Sequence, residues 1–287
     1  MKQLTVISGK GGTGKTSITA AFASLKNNAV IADCDVDAAD LHLILKPEIK
    51  KTIGFHGLKI ASIDENLCNH CMKCYESCKF DAINKDIKIN NDFCEGCSVC
   101  AYVCPVNAIK MIDRDSGFAY ISNTRFGPMS HAVLNTAEEA SGKLVTLVRN
   151  NAKKIAEEQN KKLILIDGPP GIGCPVISSI TGVDLVLIVT EPTLSAIHDL
   201  ERIYEVAAHF NIPAVVCINK YDINLDNTKK IEEYCINNKI SVVGKLPYDN
   251  DMTKAMVEEK SIIEFSDGFL SKKIGEMWDL IKGKLNE

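Results

Sequence analysis

The sequence has no excess of basic residues, no long apolar run and no secretory leader pattern. Its 33 Lys and Arg residues against 37 Asp and Glu give a net charge of −4, which offers no electrostatic footprint for nucleic acid. No apolar run approaches the roughly 18 residues that a membrane span needs, and Met1-Lys2 leads directly into a short apolar segment. We therefore expect a cytoplasmic protein that binds neither nucleic acid nor membrane.

Cysteine, in contrast, is abundant and unevenly placed. Of the 12 cysteines in 287 residues, eight lie in two runs of identical spacing. The first run is Cys68, Cys71, Cys74 and Cys78, and the second is Cys94, Cys97, Cys100 and Cys104. The constant offset of 26 residues extends to the Ala-Ile pairs at 82–83 and 108–109, which indicates an internal duplication. In a reducing compartment these cysteines indicate metal or redox chemistry rather than disulfides.

The spacing within each run predicts two [4Fe–4S] clusters. Thiolates are soft ligands that suit iron–sulfur clusters and zinc. The steps of two bring three sulfurs to one cluster, and the step of three carries the fourth cysteine to the other cluster. We expect Cys68, Cys71, Cys74 and Cys104 to bind one cluster, and Cys78, Cys94, Cys97 and Cys100 to bind the second. Zinc, the alternative, more often uses cysteine pairs separated by a longer loop.

Over roughly residues 60–113, these runs resemble those of the bacterial two-cluster ferredoxins. The resemblance implies a small α+β electron-transfer module. Pro105 follows the second run as it does in that family, whereas Lys79 stands where the first run should have proline. The lysine leaves ligation intact and puts a positive charge near one cluster, which should raise the reduction potential of that cluster relative to the other.

A glycine-rich motif lies near the N-terminus. Residues 4–7 are short, apolar and β-branched, as in a buried strand. The loop Gly9-Lys10-Gly11-Gly12-Thr13-Gly14-Lys15-Thr16 follows, and residues 17–25 then predict a helix. This context fits a phosphate-binding P-loop, in which Lys15 reaches the β- and γ-phosphates and the Thr16 hydroxyl binds Mg²⁺. The predicted nucleotide-binding residues here are Gly11, Gly12, Thr13, Gly14, Lys15, Thr16 and Ser17.

The run from Lys10 to Thr16 resembles the deviant P-loop of the MinD/ParA/Mrp and nitrogenase iron protein family. The resemblance implies that Lys10 reaches across a dimer to the nucleotide of the partner. It also implies that Asp35 positions the attacking water and that Asp167 holds Mg²⁺ together with Thr16. Lys10, Lys15 and Asp35 are therefore the expected catalytic residues of a magnesium-dependent ATPase that is slow without its partner. That partner is a second copy or a related ATPase chain.

Four further apolar, β-branched segments predict strands that alternate with helices. They lie at 29–32, 163–166, 184–190 and 214–218. At the end of the last, the family resemblance implies that Asn219 contacts the nucleotide base beside Lys220. The run Asn219-Lys220-Tyr221-Asp222 also fits the N-K-x-D pattern by which GTPases select guanine. ATP is the expected nucleotide, with GTP as the alternative.

The predicted architecture is an α/β, doubly wound parallel sheet of the P-loop NTPase type with an inserted α+β ferredoxin domain. The ATPase domain comprises residues 1–60 and 114–287, and the ferredoxin domain comprises residues 61–113. Insertion of a module is tolerated at a surface loop whose ends lie close together.

The two motifs together suggest an ATP-binding and ATP-hydrolysing iron–sulfur protein. In the first hypothesis, the nucleotide state of a dimer controls electron transfer through the two clusters to a redox partner protein. In the second, the chain is an Mrp-type assembly ATPase for iron–sulfur or other metal cofactors, although the Cys-x2-Cys near the C-terminus of many such carriers is absent. In the third, it is a MinD-like positioning ATPase whose clusters sense redox state.

Four cysteines and the C-terminal stretch stay outside these motifs. Cys34, Cys217 and Cys235 are interpreted as packing residues. Cys174 follows Asp167 by seven residues, the spacing of a cluster ligand in the nitrogenase iron protein, and is either a ligand at a dimer interface or a buried thiol. Apolar residues recur at helical spacing near the C-terminus, at Leu270, Ile274, Met277, Trp278, Ile281 and Leu285. They predict an amphipathic helix that packs on the sheet, with membrane binding as the alternative.

Overall fold

The computed structural model describes residues 1–25, 28–135 and 141–286. The strands are β1 (Lys2–Ser8), β2 (Ala29–Asp33), β3 (Glu48–Ile63), β4 (Ile109–Thr124), β5 (Gly127–Leu134), β6 (Leu163–Pro170), β7 (Leu185–Thr190), β8 (Ala214–Asn219) and β9 (Ser241–Leu246). The helices are α1 (Lys15–Ser24), α2 (Leu41–Leu45), α3 (Lys73–Ser77), α4 (Val99–Tyr102), α5 (Ser141–Glu158), α6 (Cys174–Ile180), α7 (Leu194–His209), α8 (Leu225–Asn237), α9 (Asn250–Val257), α10 (Ile262–Phe265) and α11 (Phe269–Asn286).

The chain divides into two compact units. The first unit is Met1–Ile53, Ala119–Val133 and Ser141–Glu287, and the second is Gly54–Phe118 and Leu134–Ala140. The chain passes from the first unit to the second within β3 and returns within β4. The predicted ferredoxin segment, 61–113, lies inside the second unit.

The strands are hydrogen-bonded in the order β3-β4-β5-β2-β6-β1-β7-β8-β9. Strand β1 pairs in parallel with β6 and β7. The parallel arrangement extends through β2 and β5 on one side and through β8 and β9 on the other. Strands β2 and β7 are buried along their whole length, because helices cover both faces of a parallel sheet. The predicted α/β fold with a mostly parallel sheet is therefore confirmed.

Helix α11 packs its apolar stripe into the core of the first unit. All six residues predicted to form that stripe are buried: Leu270, Ile274, Met277, Trp278, Ile281 and Leu285. The Trp278 ring lies 4.7 Å from the ring of Phe22 in α1, centroid to centroid. Burying a large apolar side chain contributes about 1.5–3 kcal/mol, so this face stabilises the fold and is not free to enter a lipid surface. No helix among the described residues combines the length and the hydropathy that crossing a membrane requires.

The second unit has a much smaller core and two very short helices. Helix α3 has five residues and α4 has four. Its buried apolar cluster consists of Ala61, Cys74, Ile83, Ile87, Cys100 and Ile109. The two helices contact each other, and an antiparallel bridge joins Ile83 to Ile89. Two of the six core residues are thus cysteines of the duplicated runs.

Candidate nucleotide site and cysteine cavities

The glycine-rich loop connects the carboxyl end of β1 to α1. Gly12 and Gly14 have positive φ angles of 79° and 92°, a region that glycine enters without steric cost. At Gly14 an added Cβ would also lie 2.5 Å from Asn219 Nδ2. The loop borders a cavity of about 1480 Å³, here called the nucleotide cavity. Among the predicted site residues, those that line it are Gly11, Gly12, Gly14, Lys15, Thr16, Ser17, Asp35, Asn219 and Lys220.

Lys15 and Asp35 form a buried ion pair in this cavity. Lys15 Nζ lies 2.6 Å from Asp35 Oδ2, and both side chains are more than nine-tenths buried. Burial opposes the charge of Lys15, but the neighbouring carboxylates of Asp167 and Asp35 outweigh it and raise the lysine pKa above its ordinary value. The structure therefore holds together two of the three predicted catalytic residues and keeps the lysine positively charged.

Asp167 is a second carboxyl group near the Lys15 ammonium. Its Oδ2 accepts a hydrogen bond from Thr16 Oγ1 at 2.8 Å, and its Oδ1 accepts one from Thr19 Oγ1 at 3.0 Å. Asp167 does not line the nucleotide cavity directly, since it is 1% exposed. The two residues predicted to hold Mg²⁺, Thr16 and Asp167, are thus in direct contact.

Asp33 is a further acidic residue that the sequence reasoning missed. It is 1% exposed, and its Oδ1 accepts a hydrogen bond from the Asp35 amide at 3.2 Å. Its Oδ2 has no hydrogen-bond partner among the described residues. Burial, followed by the nearby Asp167 carboxylate, raises the pKa of Asp33 well above its usual range. The signal that could have found it is the pair of acids at 33 and 35, which directly follows a predicted strand.

Lys10, the third predicted catalytic residue, does not line the nucleotide cavity. Its Nζ pairs with Glu191 Oε1 at 2.7 Å and contacts the hydroxyl oxygen of Thr193 at 3.1 Å. The other oxygen of Glu191 accepts a hydrogen bond from Lys220 Nζ at 3.2 Å. Partial burial opposes ionisation of Glu191, but these two lysines hold its pKa below the ordinary value. Glu191, to which the sequence analysis gave no role, therefore links the glycine-rich loop to the segment after β8.

Asn219 contacts the glycine-rich loop. Its Nδ2 donates to the Thr13 carbonyl at 2.8 Å, and its Oδ1 accepts from the Lys220 amide at 3.0 Å. The Asn219 amide therefore connects the glycine-rich loop to the segment after β8, and its contact with a base stays a prediction. Asp222, the residue that would mark a guanine site, is not among the cavity residues and instead accepts a hydrogen bond from the Tyr248 amide at 2.7 Å.

The far side of the nucleotide cavity is formed by residues that the sequence reasoning did not single out. They are Pro247, Tyr248, Met252 and Met256, with Leu43 and Ile44 of α2. The first two follow the end of β9, at the same carboxyl edge of the sheet as the other site residues. The sequence analysis did not predict the strand at 241–246. Had it done so, it would have placed the residues that follow this strand at the site, because ligands bind along the carboxyl edge of such a sheet.

The eight cysteines of the two runs surround two separate cavities in the second unit. The first cavity, of about 300 Å³, is lined by Cys68, Cys71, Cys74 and Cys104. The second cavity, of about 360 Å³, is lined by Cys78, Cys94, Cys97 and Cys100. Each cavity therefore takes three cysteines from one run and the last cysteine from the other. Among the described residues, no three His, Cys, Asp or Glu side chains converge closely enough to hold a single metal ion.

The two runs also share their backbone conformation and their exposure. Left-handed residues recur at the 26-residue offset, in the pairs His70 and Gly96, Met72 and Ser98, and Asp81 and Asn107. In each run the first and last cysteines are partly exposed, the second is exposed and the third is buried. Burial raises the pKa of the third cysteine in both runs, Cys74 and Cys100. The duplication in the sequence is thus a duplication of the local fold.

The four cysteines outside the runs are not among the lining residues of either cysteine cavity. Cys34, Cys217 and Cys235 are buried, and burial raises the pKa of Cys217 to about 12 and that of Cys235 to about 11. Cys174 is exposed at the first position of α6. The interpretation of Cys174 as a buried thiol is therefore wrong.

The fold and the glycine-rich loop define a P-loop nucleotide-binding protein. Residues 4–262 match the model of the CobQ/CobB/MinD/ParA nucleotide binding domain, and the chain belongs to this family. An uncharacterized protein of Methanocaldococcus jannaschii is 36% identical over 283 residues, which cover 98% of this chain and 96% of that protein. The predicted membership of the MinD/ParA superfamily is confirmed.

Two solved structures are similar in fold. The cell division ATPase MinD of Pyrococcus furiosus aligns with a TM-score of 0.61 and 18% identity over 98% of each chain. The septum site-determining protein MinD of Pyrococcus horikoshii OT3, solved as a complex with Mg-ADP, aligns with a TM-score of 0.59 and 16% identity over 98% of this chain and 95% of that one. At these identities the similarity establishes the fold alone.

Proposed function

We propose that this protein is a cytoplasmic, magnesium-dependent ATPase that acts as a dimer and couples its nucleotide state to electron transfer through two [4Fe–4S] clusters. The observation that carries the proposal is the joint presence, in one polypeptide, of a P-loop cavity and two cavities that are each lined by four cysteines. The first feature is typical of hydrolytic switches and the second of electron carriers.

The nucleotide cavity fits ATP better than GTP. The glycine-rich loop supplies backbone N–H groups and a helix N-terminus for the phosphates. Asp222 is the residue that would accept hydrogen bonds from guanine, and it is engaged with the Tyr248 amide outside the cavity lining. The exposed part of the Asn219 amide and the apolar residues Pro247 and Met252 suit an adenine ring.

The acidic cluster fits a divalent cation bound with the nucleotide. Thr16 and Asp167 would hold Mg²⁺, and the orphaned Oδ2 of buried Asp33 offers a further acceptor for the cation or its water. Burial raises the pKa of Asp33 and of Asp167, and a divalent cation bound beside them would favour their ionised forms. When bound, Mg²⁺ would offset the negative charge of the β- and γ-phosphates.

Hydrolysis follows from the placement of Lys15 and Asp35. Lys15 exchanges its partner Asp35 for the phosphate oxygens of ATP, which releases the Asp35 carboxylate to accept a hydrogen bond from a water molecule. The water oxygen then attacks the γ-phosphorus, the bond to the β–γ bridging oxygen breaks, and ADP and phosphate are formed. Lys10 of each chain would leave Glu191 to stabilise the phosphates of the partner, which makes the dimer necessary for fast turnover.

The grouping of the cysteines supports a [4Fe–4S] cluster in each cavity. Each cavity is lined by four cysteine side chains, three from one run and the last from the other, which is the ligand pattern of the two-cluster ferredoxins. A [4Fe–4S] cluster, when bound, would supply a one-electron carrier in each cavity. The apolar neighbours Ile63, Ile109 and Met111 would shield such clusters from water.

The proposal is tested by anaerobic purification followed by iron and sulfide analysis and ATPase assays. We expect about eight iron atoms per chain and an ATPase rate that differs at least about threefold between oxidised and reduced protein. A Lys15→Ala chain is the matched control, since it should keep its iron and lose hydrolysis. A rate that is the same in both redox states would count against coupling, and ATP-driven cluster transfer to an apo-acceptor would favour the assembly function instead.

A further inference from the structure

The turn that follows β8 connects two parts of the wall of the nucleotide cavity. At its start, Lys220 Nζ donates to the Gly12 carbonyl of the glycine-rich loop at 3.1 Å. At its end, Asp222 Oδ1 accepts a hydrogen bond from the Tyr248 amide at 2.7 Å. The short segment 219–222 therefore contacts both the glycine-rich loop, where phosphates bind, and the segment after β9, which forms the far side of the cavity.

The backbone of this turn is held by the elements behind it. Thr228 Oγ1 of α8 donates to the Tyr221 carbonyl at 2.7 Å. From β9, the Lys245 ammonium lies 5.3 Å from the centroid of the Tyr221 ring, a cation–π contact. Contacts with α8 and β9 thus fix the segment that carries Asp222, so its carboxylate is a positioned acceptor for the amide across the turn.

Tyr248 is the residue that this hydrogen bond holds. Among the described residues that line the nucleotide cavity, it is the only aromatic one, and it is 54% exposed. An aromatic ring binds a nucleotide base by stacking, and it does so with little selection because every base has a π-face. With the phosphates at the glycine-rich loop, Tyr248 is the side chain of the far wall that is best suited to contact the base.

The position of Asp222 differs from the one that base selection requires. A carboxylate that reads guanine has to face the cavity, because it accepts hydrogen bonds from two N–H groups on the edge of the base. Asp222 is not among the residues that line the cavity, and one of its oxygens is engaged with a backbone amide. The N-K-x-D run at 219–222 therefore places its acidic residue beside the cavity wall and not at the base edge.

We propose that Asp222 is a positioning residue for the nucleotide base: it holds Tyr248 against the ring and does not distinguish adenine from guanine. Without the carboxylate, the segment after β9 loses its tie to the turn, and the Tyr248 ring loses its fixed distance from the glycine-rich loop. The phosphate contacts of that loop stay intact. This inference rests on the proposed function, because it takes the cavity to be a nucleotide site.

The test is calorimetric titration of the full chain with Mg-ADP, Mg-GDP and Mg-pyrophosphate. We expect Asp222→Ala to weaken ADP and GDP by the same factor, about fivefold, and pyrophosphate by less than about twofold. Asp222→Asn keeps an oxygen that can accept from the Tyr248 amide, so it should bind all three within about twofold of the wild type. Asp226→Ala removes an exposed acid of the same charge from α8 and is the matched control.

Three results would overturn the inference. A loss confined to GDP in either Asp222 variant would mean that the carboxylate reads guanine. Equal weakening of pyrophosphate and ADP would mean that Asp222 supports the glycine-rich loop or the fold as a whole. Wild-type affinity for ADP in Asp222→Ala would mean that the hydrogen bond to Tyr248 has no effect on the base.

A second set of variants tests the route through Tyr248. Tyr248→Ala should weaken ADP about tenfold, whereas Tyr248→Phe, which keeps the ring, should bind as the wild type does. The double variant, with alanine at both positions, should bind ADP within about twofold of Tyr248→Ala alone, because Asp222 acts through the ring. Additive losses would overturn this route. If the wild type hydrolyses ATP while Asp222→Ala binds ADP normally, the inference fails and the ATPase assignment stands, and a wild type that binds neither ADP nor pyrophosphate would overturn both.

Discussion

The two units of this chain differ in what holds them together. The first unit has a mostly parallel sheet, helices on both faces and a large aliphatic core in which Phe22 and Trp278 are fully or almost fully buried. The core cluster of the second unit has six buried apolar residues among those the structure describes, and two of these are Cys74 and Cys100, which border the cysteine cavities. The large packed core therefore stabilises the first unit, whereas under the proposed function we expect the second unit to depend on the clusters that its cysteines bind, as small metal-binding domains do.

Removing iron should produce the largest difference in behaviour between the two units. With an iron chelator under reducing conditions, amide hydrogen exchange in 54–118 should accelerate about 1000-fold, because the cavities lose the group that connects their cysteines. Exchange in the strands of the first unit, such as β1 and β7, should change less than about threefold. Equal acceleration in both units would contradict the difference drawn between them. Unchanged exchange in 54–118 would mean that the small core of the second unit keeps it folded without iron.

Lowering the pH should reduce the stability of the first unit through its buried residue His131. His131 in β5 is buried, and its Nε2 lies 2.9 Å from Ser122 Oγ. Burial, with a smaller contribution from His42, lowers the pKa of His131 to about 4. The unfolded chain binds a proton there near pH 6.5, so the stabilisation is complete above that pH and is lost as the pH falls towards 4.

We expect His131 to contribute a loss of about 2–3 kcal/mol to the free energy of unfolding of the first unit over that interval. The raised pKa values of Asp33 and Asp167 act in the opposite direction, so the contribution is the difference between the wild type and His131→Gln. Denaturant titrations between pH 7 and pH 4 measure it. His131→Gln should have a flatter profile, and His198→Gln, which replaces an exposed histidine of the same unit, should keep the wild-type slope. The histidines of the second unit, His56 and His70, are exposed. A wild-type slope in His131→Gln would exclude this histidine as the cause.

The smallest expected effect concerns Cys174. It is exposed at the start of α6 and does not line either cysteine cavity. We expect Cys174→Ala to hold the same iron per chain as the wild type after reconstitution, within about 10% of eight atoms. A clear loss of iron would mean that a cluster also binds to the first unit, and the division between a packed unit and a metal-dependent one would fail.

The sequence predicted most accurately those elements that are determined by residues close together in the chain. The strands predicted at 4–7, 29–32, 163–166 and 214–218 correspond to β1, β2, β6 and β8 with small differences at their ends. A short apolar β-branched run that is buried on both faces has few alternatives. The glycine-rich loop was predictable for the same reason, since its fixed spacing between a strand and a helix determines which groups can meet. The cysteine spacing places four cysteines around each cavity, and their assignment as cluster ligands stays a prediction.

Features that depend on distant contacts could not be predicted in this way. Glu191 meets Lys10 only because β1 and β7 are neighbours, and nothing near Glu191 in the sequence indicates that partner. The long strand β3 was missed as well, and of β4 only the segment 118–121 was expected to rejoin or flank the sheet. Both strands run through the positions at which the domain boundaries were predicted. Many residues of β3 are exposed, so it lacks the hydrophobic pattern by which a strand is recognised.

The Glu191 carboxylate, which pairs with both Lys10 and Lys220, affects the rate at which a nucleotide associates with the protein. Two ammonium groups, those of Lys10 and Lys220, surround a single carboxylate, so one positive charge beside the nucleotide cavity is left over. Its field reaches about 10 Å at moderate salt and further when salt is dilute. A highly charged anion such as a nucleoside triphosphate is drawn towards such a field. These three residues therefore contribute an attraction between protein and nucleotide that weakens as the ionic strength rises, before any atom of the glycine-rich loop makes contact.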